Sequence, residues 1–69
     1  MAKQIIAYRE GNRDWYITID GRRHPSDFVS VTDIREWVGT MQAAGIYTGR
    51  SLLVPNEKTG RYEEVEPIY

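Results

Sequence analysis

The apolar pattern of this chain changes its period between residues 14 and 44, and that change restricts the fold more than any other feature. Asp14-Trp15-Tyr16-Ile17-Thr18-Ile19 alternates Trp15, Ile17 and Ile19 with Tyr16 and Thr18, the two-residue period of a strand with one buried face. Farther on, Val31, Ile34, Val38 and Met41 fall at i, i+3, i+7 and i+10, a single stripe along an α-helix, widened by Trp37 and Ala44. A sheet with one helix laid on one face buries both patterns in the same interior.

The flanking segments extend this reading. Gln4-Ile5-Ile6-Ala7-Tyr8-Arg9 is a β-rich run, and Glu10-Gly11-Asn12-Arg13 supplies turn chemistry that closes it against residues 14–19 as an antiparallel hairpin. Asp20-Gly21 is a second turn signal, leading into a polar loop, Arg22 to Asp27, entered by a short third strand; Phe28 and Val29 then return to the core. Ser30 or Thr32 caps a helix over about residues 31–44, Asp33 and Glu36 suit its positive end, and Gly45 stops it. Arg50-Ser51-Leu52-Leu53-Val54, ending at Pro55, and Arg61-Tyr62-Glu63-Glu64-Val65 predict a second hairpin, closed by a turn over 56–60 with a left-handed Gly60. The expected fold is one α+β domain over residues 1–69, in ββαββ order. Two hairpins form a mainly antiparallel sheet, with residues 66–69 as a short tail.

A chain of 69 residues buries only about 60% of its unfolded surface, so its core is thin and large side chains matter. Two Trp, five Tyr and one Phe supply them. The absence of cysteine excludes disulfide staples, thiolate nucleophiles and the usual structural zinc sites. No apolar run has the length of a signal peptide or a membrane span, which gives a cytoplasmic expectation. A net charge of −1 provides no long-range pull on a polyanion.

Motifs for chemistry are sparse. His24, beside Ser26 and Asp27, is the single histidine of the chain, the residue type suited to acid–base work near neutral pH. Neighbours in an extended, proline-containing loop point in different directions, however, and a triad is usually assembled from separated segments. His24 is therefore expected as a solvated loop residue. Neither a spaced ligand set for a metal nor a glycine-rich phosphate loop occurs, and Glu63 and Glu64 fall on opposite faces of a strand. No cofactor, no metal and no catalytic residue is expected.

Binding is the better-supported class. Tyr16 faces away from Trp15 and Ile17, and Tyr47, Tyr62 and Tyr69 are expected to gather near the second hairpin; exposed Tyr and Arg are the residues that anchor protein contacts. Tyr16, Arg22, Arg23 and Tyr62 are the expected anchors for a protein partner. Arg13, Arg22 and Arg23 form the alternative, a basic cluster for nucleic acid, opposed by the interspersed Asp14, Asp20 and Asp27. A homodimer through a sheet edge is a further route, with Pro55, Pro67 and the Glu-rich last strand guarding one edge. In size, mild acidity and lack of cysteine or catalytic motifs, the chain resembles compact proteins of bacteriophages and mobile elements, many of which inhibit a host enzyme by occupying its surface. That resemblance implies an inhibitor or modulator of a larger macromolecular machine.

Overall fold

The computed structural model describes residues 2–68 and contains one helix against a five-stranded sheet, in the order β3-β2-β1-β4-β5. Strands β1 (Ile5–Arg9) and β2 (Trp15–Ile19) form the expected hairpin, in register from Ile5 opposite Ile19 to Arg9 opposite Trp15. Gly11 at the turn takes a positive φ of 57°. Asp20 and Gly21 are both left-handed, φ 51° and 86°, the geometry of a tight two-residue turn whose twist matches its strands. They lead into β3 (Arg22–Arg23), only two residues long.

Helix α1 spans Val31–Ala43. The Ser30 hydroxyl accepts the Asp33 N–H at 3.3 Å, and Gly45, φ 76°, follows the C-cap Ala44. Ile34 and Val38 are fully buried beneath it, and Val31, Trp37 and Met41 pack at their margin. Ala44 ends the helix as an exposed residue and does not widen the stripe.

The helix returns the chain to the middle of the sheet, where β4 (Leu52–Pro55) lies beside β1 and parallel to it, Ile6 opposite Leu53. Strand β5 (Tyr62–Val65) then closes the outer hairpin, with Gly60 left-handed at φ 71°. Three of the four pairings are antiparallel, so the sheet is mixed with a mainly antiparallel character. The core joins Ile5, Ala7, Trp15, Ile17 and Leu52 of the sheet to Ile34 and Val38 of α1. No helix among the described residues is long and apolar enough to cross a membrane.

Several local expectations are corrected. Phe28 reaches the core, forming a bridge with Trp15, but Val29 is 77% exposed because the chain must turn outward into the helix cap. Tyr47 does not join an exposed group: it is buried beside β1 and β4, its hydroxyl donating to the Ser51 carbonyl. Burial pushes its phenol pKa up. Pro55 lies on β4, inside the sheet, so it guards no edge. The tail is tied down, with Arg35 Nε donating to the Glu66 carbonyl at 2.8 Å and the Ile68 N–H to the Arg35 carbonyl at 3.0 Å. Tyr69 lies outside the described residues.

Candidate binding face

With α1 on one face of the sheet, the alternation of side chains delivers a second set of residues to the helix-free face. Tyr8 stands directly opposite Tyr16 in the β1–β2 register. On β4, Pro55 lies two residues beyond Leu53, as Tyr8 lies two beyond Ile6, and Pro55 pairs in turn with Tyr62. The level Tyr16, Tyr8, Pro55, Tyr62 therefore crosses four strands. Below it lies a second level of Thr18, Ile6, Leu53 and Glu64.

The rings of the upper level pile against one another. Tyr8 and Tyr16 stack with centroids 5.2 Å apart and planes 16° from parallel. Arg23, arriving from β3, lays its guanidinium over Tyr16 at 4.2 Å from the ring centroid. From the β5 side Tyr62 meets Tyr8 edge-on at 6.0 Å. Two coplanar rings lying flat on the sheet could not bring their centres so close, so Tyr8 and Tyr16 stand upright, with their faces occupied by neighbours. Tyr8 and Tyr16 are half-buried in this arrangement. Tyr62, 48% exposed, is the most open of the three rings.

At the β3 end the pile borders an open depression of about 450 Å³ lined by Glu10, Asn12, Arg13, Asp14, Tyr16, Arg23 and Asp27. Arg23 lies 3.7 Å from Asp27 in the one ion pair among the described residues. Glu10 and Asp14 thus face the cavity without a paired cation.

Of the expected anchors, Tyr16, Arg23 and Tyr62 come together on this face, and Arg22 does not. Arg22 pairs with Ile19, which packs against the core, so its register places it on the opposite side of the sheet from Arg23. The basic cluster Arg13, Arg22 and Arg23 is split in the same way: Arg13 and Arg23 share the depression and Arg22 is outside it. Asp27 offsets Arg23 as expected, but Asp20 is occupied elsewhere. Its carboxylate accepts the N–H groups of Lys3 (3.0 Å) and Gln4 (2.9 Å), and these hydrogen bonds hold its carboxyl below the usual range.

Tyr8, which completes the pile, was discernible in the sequence: the two-residue period puts it with Ile6, and closing the turn between Arg9 and Trp15 sets it against Tyr16. Pro55 carried no such signal, because its place depends on the parallel β1–β4 contact.

His24 is half-buried, not solvated, with its ring edge-on to Trp37 at 4.9 Å and tilted against Phe28 at 6.1 Å. Its Nδ1 accepts the Ser26 backbone N–H at 3.2 Å, while Asp27 turns to Arg23. The His24 and Asp27 side chains are thus directed to separate partners. No protein-family model matches the chain, and no curated protein or solved structure matches it either.

Proposed function

We propose that the protein is a non-enzymatic binding module that contacts another protein through its helix-free sheet face, modulating or inhibiting a larger assembly by occupying part of its surface. The observation that carries this reading is the upright pile Arg23, Tyr16, Tyr8 and Tyr62 on a face that α1 leaves uncovered. Tyrosine edges and hydroxyls offer apolar contact and hydrogen bonding together, at small cost in side-chain entropy, which is why such residues dominate protein interfaces.

The same geometry weighs against the alternative, in which Arg13 and Arg23 hold nucleic acid. Single-stranded binders stack bases on open aromatic faces and track the backbone with excess cations. Here the faces of Tyr8 and Tyr16 are filled by neighbouring side chains, and the depression holds three carboxylates against two guanidiniums.

Affinity capture from the source cells with wild type and with Tyr16→Ser and Tyr62→Ser variants tests the reading. A stoichiometric protein recovered by wild type and lost from both variants, each shown to be folded by circular dichroism, supports it; identical recoveries from all three overturn it. Fluorescence anisotropy with single-stranded oligonucleotides over a range of salt tests the alternative. Binding with a steep salt slope that disappears in Arg13→Glu and Arg23→Glu would favour nucleic acid.

A further inference from the structure

The size and charge of the face restrict what covers it, given the protein-contact reading above, on which this inference rests. Four strands about 4.8 Å apart, carrying two side-chain levels about 7 Å apart, make a face on the order of 20 by 14 Å, or roughly 300 Å². A stable protein–protein interface needs about 800 Å² from each partner, so this face alone is too small to hold a second copy of the chain or a broad folded surface. A linear segment fits it. About six extended residues, at about 3.3 Å each, cross four strands from Tyr62 to the depression.

The two ends differ in chemistry. At the β5 end, Tyr62, Pro55 and Leu53 present apolar and aromatic surface, with Tyr62 the most exposed. The β3 end opens into the depression, where Asp27 is matched by Arg23 and the remaining charges are Glu10 and Asp14 against Arg13. The excess there is one negative charge. A cation brought by the partner balances it, whereas an anion would meet an uncompensated carboxylate.

We infer that the Arg23–Tyr16–Tyr8–Tyr62 face seats one extended peptide segment of a partner protein, with apolar or aromatic side chains over Tyr8, Pro55 and Tyr62 and a lysine or arginine in the depression beside Glu10 and Asp14. The segment lies across the strands and adds no strand to the sheet: the edge on this side, β3, offers only two residues of ladder. Binding draws on side-chain contacts alone and so belongs to the weak, reversible range.

A phage-displayed library of random peptides is the probe. Selection against the folded wild-type chain should enrich sequences in which a lysine or arginine lies within a few residues of an aromatic or aliphatic side chain. Synthetic versions of the enriched peptides should lose at least about tenfold in affinity to Tyr62→Ser, on the apolar end, and to Asp14→Arg, on the charged end. Both positions are exposed, so both variants should keep the wild-type circular dichroism spectrum and melting temperature within a few degrees. Added salt should weaken the wild-type complex more than the complex with Asp14→Asn. Enrichment of acidic peptides, enrichment unaffected by either variant, or no enrichment while capture of a cellular protein still depends on Tyr16 and Tyr62, overturns the extended basic segment and leaves the protein-contact reading intact. Loss of the variant-dependent capture itself removes the reading on which the inference rests.

Discussion

The sheet carries an aromatic cluster on each face, and the two are built from different residues. Beneath the helix, Phe28 meets Trp37 at 5.9 Å, His24 closes on Trp37, and Arg9 lies over the buried Trp15 at 5.7 Å. On the open face the rings are all tyrosines, backed by Arg23. Both clusters use edge contacts with a guanidinium on one ring, yet only the first adjoins the core: Trp15 is buried, and Phe28 and Trp37 pack half-buried against it. Trp and Phe place their area where the helix covers it, while Tyr tolerates exposure because its hydroxyl remains hydrated. The residue type therefore records which face was to be sealed. The difference should appear as a large stability cost on one side of the sheet and a small one on the other.

The largest effect is expected beneath the helix. Ile34→Ala removes a fully buried side chain from the contact of α1 with β1, β2 and β4, at about 2–5 kcal/mol. Since a domain of this size has only a few kcal/mol to lose, the variant should be largely unfolded at 37 °C by circular dichroism. A loss below about 1 kcal/mol would mean that the helix contributes little, and the contrast between covered and open faces would fail.

Next is Gly49→Ala, at the joint between the helix exit and β4. A Cβ there would overlap the Tyr47 ring and lie 2.6 Å from the Lys3 carbonyl oxygen. Tyr47 is buried and fixed to Ser51, so it cannot swing aside, and a cost of about 1–3 kcal/mol is expected from the forced shift. Chemical denaturation should show a lower midpoint. Gly49→Ala combined with Tyr47→Leu should recover part of the loss if the ring is what obstructs.

That joint also separates what local sequence patterns encode from what they do not. The β1–β2 hairpin, the two-residue turn at Asp20-Gly21, the Ser30 cap and the stripe Ile34, Val38 were legible because each depends on residues within one or two turns of chain. Tyr47 was not legible: it stands alone between helix and strand, with no periodic neighbours to assign it a side. The parallel β1–β4 contact likewise has no local signal, since it is set by the path of the helix rather than by a turn. The candidate face inherits both cases. Tyr16 and Tyr8 followed from hairpin register, whereas their company with Pro55 and Tyr62 required β4 to be placed. Arg22 falls on the other side of the sheet because neighbouring strand residues diverge, so a contiguous Arg-Arg pair does not make one patch.

On the open face a smaller effect is expected. Tyr8→Leu keeps apolar bulk and removes the ring held between Tyr16 and Tyr62, at about 0.5–1.5 kcal/mol. Near-ultraviolet circular dichroism should lose tyrosine signal while tryptophan fluorescence stays unchanged, because Trp15 and Trp37 lie on the other face. A tryptophan shift as large as that of Ile34→Ala would show the two clusters to be one cooperative unit.

The smallest change at neutral pH sharpens the comparison from a point that serves both faces. Asp20 ties the start of β1 to the β2–β3 turn, its carboxylate accepting from Lys3 and Gln4 while its own N–H donates to the Gln4 carbonyl at 2.9 Å. These bonds favour the ionised form, so the folded-state pKa lies below the ordinary value of 3.8. The unfolded chain then takes up the proton first as pH falls. The stabilisation is accordingly present above pH 3.8 and lost as pH drops through the lower folded value. Asp20→Asn should melt below wild type at pH 7, and the gap should narrow below pH 3.8. The register that Asp20 helps to hold places Tyr8 against Tyr16 on the open face and Ala7 against Ile17 in the core, so the loss should reach tyrosine and tryptophan signals together. Unequal losses would show that one face can slip while the other holds, and that the register is fixed by packing rather than by this carboxylate.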